Sequence, residues 1–362
     1  MAGKALALFA DFVMLTNQNN LMATTESGIL QEVQAQTYLT AQLARGKPAS
    51  KMIKGGRSVV SYSQFTAGTG AAFYQPGDSF TAQIEDADSK IEFPFRFMHD
   101  SYAYTDHEIE FNMGGPDSAS IPPQIVDILD SKRQFQRTGM YNTVEAAWWT
   151  TPSAATMETA ATTNRPYSIR AFITEDGLHP SGFTTLGGIA STQTRYRNAT
   201  SFYTAGQVDT TLMPAFAVMK RKIGFKAPAS MAKYLAGTED ADENIFTDRN
   251  GAVLYQRLTE QSNDRLVGDG KDLGVYSEDL PYAGILVQYI TEIDNIAYSS
   301  TQPRYFWVNK KYLYPIWQSN GYFAEKEPMN SVSQYNVWVV HVDLWYQLIC
   351  TSRQRQGIVC PG

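Results

Sequence analysis

The chain has 362 residues, 43% of them hydrophobic and 12% aromatic, which is ample material for a sizeable core and excludes a disordered chain. Charged residues make up only 18%, below the roughly 25% usual for soluble domains, which predicts that much of the surface meets other protein rather than water. Thirty basic residues against 36 acidic ones leave a net charge of -6, so the chain as a whole has no electrostatic drive toward nucleic acid.

Two cysteines, Cys350 and Cys360, exclude a disulfide-rich scaffold and a cysteine-based structural zinc site, and point to a reducing compartment. The apolar run from Ala5 to Leu15 is broken by Asp11 and no small-residue cleavage pattern follows, so it does not read as a signal peptide. No apolar stretch reaches the roughly 20 residues that cross a bilayer, and the chain reads as soluble with no membrane partner.

From Ser27 to Arg45 the spacing of Ile29, Leu30, Val33, Leu39 and Leu43 predicts a weakly amphipathic helix, ended by Gly46 and Pro48. Its stripe is too thin for a core helix, so it is expected to be stable mainly when docked on something else. Residues 51 to 111 then predict a long β-hairpin built on Val59 to Phe65 and Ile91 to Phe97, with a Gly-rich tip from Thr66 to Asp78. Lys51, Lys54 and Arg57 lie on one side of this element and Glu85, Asp86 and Asp88 on the other, an opposition that can set the register of contact with another subunit.

Pro122 and Pro123 open the longest helix, expected over about residues 122 to 149, roughly 42 Å at about 1.5 Å per residue. Ile121, Ile125, Ile128, Leu129, Phe135, Met140, Val144 and Trp148 form its apolar stripe, narrow enough that the helix should lie across a sheet as a brace. Strand and loop character returns at Tyr167 to Thr174 and Gly182 to Ile189. Helices are expected at Thr211 to Ile223 and Ala252 to Gln261, with an exposed acidic loop at Glu239, Asp240, Asp242 and Glu243 between them. Ala283 to Ile293 and Arg304 to Val308 read as strands. The clearest strand is the last: Trp338, Val340, Val342, Leu344, Tyr346, Leu348 and Cys350 share one parity, and the strand is expected to be central.

Chemistry is thinly represented. His99, Asp100, Asp106, His107 and Glu108 are the one His and carboxylate cluster, but strand geometry would splay neighbours onto opposite faces, so no metal site is expected. Gly268-Asp269-Gly270-Lys271 lacks the Ser or Thr of a phosphate loop, having Asp272 in its place, and reads as a turn. His179, in a loop before Pro180, reads as solvated, and His341 as a polar residue on the less buried face of its strand. Neither cysteine has a histidine nearby in sequence, and burial is the commoner fate of such thiols. No catalytic residue, cofactor or metal is assigned.

Phe183-Thr184-Thr185-Leu186-Gly187-Gly188-Ile189, followed by Arg195-Tyr196-Arg197-Asn198, resembles the segment after the spine helix in major capsid proteins of tailed double-stranded DNA bacteriophages, the Hong Kong 97-type fold. Arg304 to Leu313 resembles a strand-turn-helix stretch of the same family, and the strand through Leu344 and Leu348 into Thr351-Ser352-Arg353-Gln354-Arg355-Gln356-Gly357-Ile358 resembles its C-terminal ending. The resemblance implies an α+β capsid fold. Its parts would be an N-terminal arm at 1-50, an extended loop at 51-110, a peripheral domain at 111-200 and 335-362 with the spine helix, and an axial domain at 201-334. It further implies a structural, non-enzymatic protein of the virion, assembled in the host cytoplasm into the hexamers and pentamers of an icosahedral head around double-stranded DNA. Scaffolding, portal and decoration proteins would be further partners, and contact with packaged DNA would be weak and unspecific. On this reading the candidate inter-subunit contacts are Lys51, Lys54, Arg57, Glu85, Asp86, Arg353 and Arg355.

No Lys and Asn pair can be assigned to the covalent cross-link some members form, and the start at Met1 is read as no large scaffolding segment having been removed. The same fold would serve an encapsulin-like shell protein. From a different class, a hydrolase would need a site assembled from His99, His107 or His341 with distant carboxylates.

Overall fold

The computed structural model describes residues 51–64, 88–108, 128–159, 164–224, 243–263, 280–283, 285–294, 296 and 302–362. In chain order the strands β1 (Lys51–Ile53), β2 (Ser58–Gln64), β3 (Asp88–Pro94) and β4 (Arg96–Thr105) lead into helix α1 (Ile128–Trp149). Two short helical turns follow, α2 (Ala154–Met157) and α3 (Ile169–Phe172), then β5 (Thr185–Leu186), β6 (Ile189–Ala190), β7 (Ala199–Tyr203) and α4 (Val208–Ile223). Next come β8 (Glu243–Thr247), α5 (Arg249–Asn263), β9 (Leu280–Tyr282), β10 (Ile285–Tyr289) and the turn α6 (Thr291–Asp294). The chain closes with β11 (Tyr305–Asn309), β12 (Leu313–Gln318), β13 (Ala324–Glu325), β14 (Met329–Asn330), β15 (Val337–Cys350) and β16 (Gly357–Pro361).

The chain divides into two compact units, the first holding the described residues of 98–143 and 323–344 and the second the rest. In the second, β7-β16-β11-β8-β10-β9 form one sheet. Alternation along β11 explains its two covered faces: Tyr305 and Trp307 point toward Phe216 of α4, at ring separations of 4.9 and 5.3 Å, while Phe306 points toward Trp149 at 5.4 Å. Leu212, Ala215, Phe216, Met219 and Ile223 make the buried stripe of α4, packed with Tyr255 and Leu258 of α5. Burial on both sides is why β11 and β12 lack polar alternation.

A second sheet is organised on β15. Its C-terminal end pairs with β12, and β12 pairs in parallel with β1, so Lys51 belongs to this sheet and not to the hairpin. In the first unit β15 pairs with β13 and β14. The even parity of β15 is buried at Val340, Val342 and Leu344, and from Tyr346 onward both parities are buried. The expected central strand is therefore present. β2 and β3 form an antiparallel hairpin from Ser58↔Pro94 to Gln64↔Asp88, shorter than the one expected over 51 to 111 because β1 pairs with β12 and β4 with β15, and the expected tip at 66–78 lies outside the described residues. Gly187 turns the small β5–β6 hairpin at φ 61, where a Cβ would stand 2.6 Å from the Phe93 ring.

Four expectations change. Tyr167 to Thr174 contains a helical turn instead of a strand, because the Ser168 hydroxyl accepts from the Ala171 amide 3.2 Å away and caps it. The strand expected to run to Ile293 ends at Tyr289, and α6 follows. Glu243 begins β8 instead of a loop, its Oε1 accepting from the side-chain Nδ2 of Asn309 at 3.0 Å. Finally, Phe135 is 72% exposed, whereas Gln136, Met140, Val144 and Trp148 form the buried line of α1. The i, i+4 repeat through Met140 selects Gln136 for the interior, where its amide donates to the Met140 sulfur, and rotates Phe135 outward. Residues 122–127 of the expected long helix and the helix expected at 27–45 lie outside the described residues.

Because Met140 is fully buried and Phe135 is not, Met140→Ala should cost about 2–5 kcal/mol and Phe135→Ala less than about 1 kcal/mol. Urea unfolding followed by tryptophan fluorescence distinguishes them, and equal losses would refute the assigned helix face.

Candidate functional site

Arg353 was expected at the surface and is instead fully buried in the second unit. Its Nε donates to the Phe172 carbonyl at 2.8 Å, Nη1 to the Tyr196 carbonyl at 3.0 Å, and Nη2 to the Leu178 carbonyl at 2.8 Å and Asn198 Oδ1 at 3.1 Å. The guanidinium lies 5.5 Å from the Tyr196 ring centroid. Burial pulls its pKa below the ordinary arginine value, while nearby Asp176 acts in the opposite direction. Asn198 extends the cluster by donating to the Thr174 carbonyl at 2.8 Å.

Two further side chains of the ending lock it in. Gln356 accepts from the Asn309 amide at 2.8 Å and donates to the Asn309 carbonyl at 3.0 Å. Gln347 accepts from the Tyr167 amide at 2.9 Å and donates to the Pro94 carbonyl at 2.7 Å. Arg304, from the second stretch carrying the resemblance, is buried and ion-paired with Glu175. The separate stretches around 183–198, 304–313 and 344–358 are thus connected by side-chain bonds.

The other contact candidates divide. Lys54, Arg57 and Arg355 are exposed, and Arg355 Nη1 also donates to the Ile223 carbonyl at 3.0 Å. Glu85 and Asp86 lie outside the described residues. Lys51 is placed in β1 by its backbone pairing with Ile316. Large apolar side chains add to the exposed set: Tyr62 at 69% on β2, and Val332 and Tyr335, at 106% and 91%, between β14 and β15. Sequence reasoning did not single out these three, although the low charge count is their signal.

Of the histidines considered for a dispersed catalytic site, His99 and His341 meet on β4 and β15, with Nε2 and Nδ1 3.1 Å apart. Among the described residues no group of three or more His, Cys, Asp or Glu side chains could hold a metal ion. Both cysteines are buried, and burial pushes each thiol up to about 12, far from a reactive thiolate at neutral pH. Two open depressions of 410 and 530 Å³, beside Lys90 and Gly188 and beside Gln207 and Arg257, gather no histidine or cysteine. Among the described residues no helix is long and apolar enough to cross a membrane.

No protein-family model matches the chain, and no curated protein matches it. Solved structures do. The chain is similar to one in the Cyanophage A-1(L) capsid asymmetric unit, with TM-score 0.59 at 12% identity over 89% of this chain and 92% of that one. The chain has the α+β fold of phage capsid proteins. The capsid of native GTA particle gives TM-score 0.50 at 11% identity over 92% and 91% of the two chains, and the empty GTA particle gives the same score at 12% identity.

His179 was expected to be solvated but is buried, with neither ring nitrogen hydrogen-bonded. Burial first, and then the charges of Arg353 and Arg197, push its pKa down to about 4. An unfolded histidine titrates near 6.5, so between about 6.5 and 4 the unfolded chain binds more protons and stability falls as pH drops. Replacing it in His179→Gln should flatten that part of the urea-midpoint profile against pH, and an unchanged difference between wild type and variant across this window would refute the assignment. Arg353→Met leaves four acceptors short of a donor and should cost roughly 3–5 kcal/mol, measured by urea unfolding; a loss below about 1 kcal/mol would show that the buried guanidinium does not hold the ending in place.

Proposed function

We propose that this chain is the major shell subunit of a tailed-phage head, a structural protein that self-assembles into hexamers and pentamers around double-stranded DNA. The observation that carries the reading is coverage: the likeness to the cyanophage capsid chain runs through 89% of this chain and 92% of that one, leaving little of either unmatched. The charge fraction of 18% and the exposure of Tyr62, Val332 and Tyr335 support it, since a monomer gains nothing from holding such groups in water.

On this reading residues 1-50 form the arm, 51-110 the extended loop, 111-200 with 335-362 the peripheral domain, and 201-334 the axial domain. Lys51, Lys54, Arg57, Glu85, Asp86 and Arg355 are the charged inter-subunit contacts. Arg353 leaves that set because its donors are engaged inside the chain. The subunit acts without enzymatic chemistry, in a virion assembled in the host cytoplasm with scaffolding, portal and decoration proteins. With a net charge of -6 the contact with DNA is weak and unspecific.

Sedimentation and negative-stain imaging of the purified chain, alone and with co-expressed phage partners, test this. Closed shells or capsomers are expected, and Lys54→Glu combined with Arg57→Glu should keep the fold while reducing assembly at least about tenfold. Monomers and dimers under every condition would overturn the proposal.

A further inference from the structure

β4 and β15 are paired strands, and their alternating side chains leave one row of each facing outward. In those rows His99 is exposed and His341 half-buried. The two residues are 242 positions apart in sequence, yet Nε2 of His99 stands 3.1 Å from Nδ1 of His341, with ring planes inclined by 36°. The chain has only four histidines, so half of them meet at this one point.

We propose that His99 and His341 form a two-point binding site for a late first-row divalent metal ion such as Zn²⁺, with water filling the remaining positions. Neutral imidazole nitrogens bind zinc at about 2.0–2.1 Å, and two such bonds ending 3.1 Å apart enclose the ion at roughly 100°, between square and tetrahedral angles. In the ion-free pair the two nitrogens are hydrogen-bonded to each other. Accepting the ion requires rotation about each Cβ–Cγ bond, a soft torsion, that turns both lone pairs toward one point while keeping the nitrogens near their present separation. The strand pairing already fixes the two backbones, so little freedom is lost on binding.

The surroundings define the coordination. Asp343 stands two residues along from His341 and is held by Lys326 at 2.7 Å, so the carboxylate is engaged elsewhere and the ion takes two protein ligands. A bound ion would clip together strands whose histidines are 242 positions apart in sequence, and because it binds the folded arrangement alone it would raise stability with concentration.

Calorimetric titration of the full-length chain with ZnCl₂ near neutral pH tests the site. One ion per chain is expected, with affinity reduced about tenfold or more in His99→Gln and in His341→Gln and unchanged in His107→Gln. The melting temperature of the wild type should rise with Zn²⁺ and return on addition of chelator, a readout that needs no variant to fold. With Cu²⁺ as the probe, electron paramagnetic resonance should show two coordinating nitrogens. Absence of stoichiometric binding, or binding that persists at wild-type affinity in the double variant, overturns the proposal.

Discussion

A full positive charge with no access to water is the constraint on which the C-terminal part of this structure depends. The cost of burying Arg353 is large unless its donors are met, and four acceptors meet them: three backbone carbonyls and the Asn198 amide oxygen. Those acceptors come from a stretch of chain between Phe172 and Asn198 that has little regular structure of its own. Hydrogen bonds are directional where apolar contacts are not, so this stretch must reach one arrangement before the guanidinium is accommodated. A lysine, with three donors on a compact head, could not span the same fork of acceptors. The hydrogen bonds of Gln347 and Gln356 extend the same logic, each clasping backbone groups from a distant part of the chain.

How much of this was readable beforehand depends on whether a local pattern carried it. The alternation from Trp338 to Cys350 and the paired runs of the β2–β3 hairpin are properties of neighbouring residues, and the structure bears both out. The helices α4 and α5 were visible for the same reason, since apolar residues recur along each at helical spacing. The Arg/Gln/Gly ending drew notice as a resemblance, yet an arginine in sequence carries no sign of burial. Its partners lie 155 to 181 residues away, and only the folded chain brings them together. His179 differs from its sequence expectation for the same reason: a histidine beside a proline in a loop is normally wet, and the ring that packs against it, Tyr196, and the charge that faces it, Arg353, are distant in sequence. Phe135 shows the opposite error. The residue is apolar and lies in a helical stripe by composition, but the turn geometry set by Met140, Val144 and Trp148 points it outward.

The His99 and His341 pair lies between these cases. Each histidine taken alone is an ordinary polar residue on a strand. The juxtaposition follows from β15 being the strand that β4 joins, which no window of sequence reveals. Residue type can nominate a ligand, but only topology supplies the second one at bonding separation.

The shortage of charge can now be placed. Acidic and basic side chains that do occur are often paired within the chain: Lys132 with Glu108, Arg133 and Arg137 with Glu325, Lys326 with Asp343, and Arg304 with Glu175. Arg353 is withdrawn from the surface altogether. The charge left free to solvate the exterior is therefore smaller than the composition suggests, while Phe135, Tyr62, Val332 and Tyr335 stand in water. Exposed pairs contribute little stability individually, so their presence does not compensate for exposed apolar area. On the proposed shell reading that balance would be reversed: the apolar groups would be buried on assembly, the internal pairs would hold the elements that present them, and neighbours would supply part of the fold's stability.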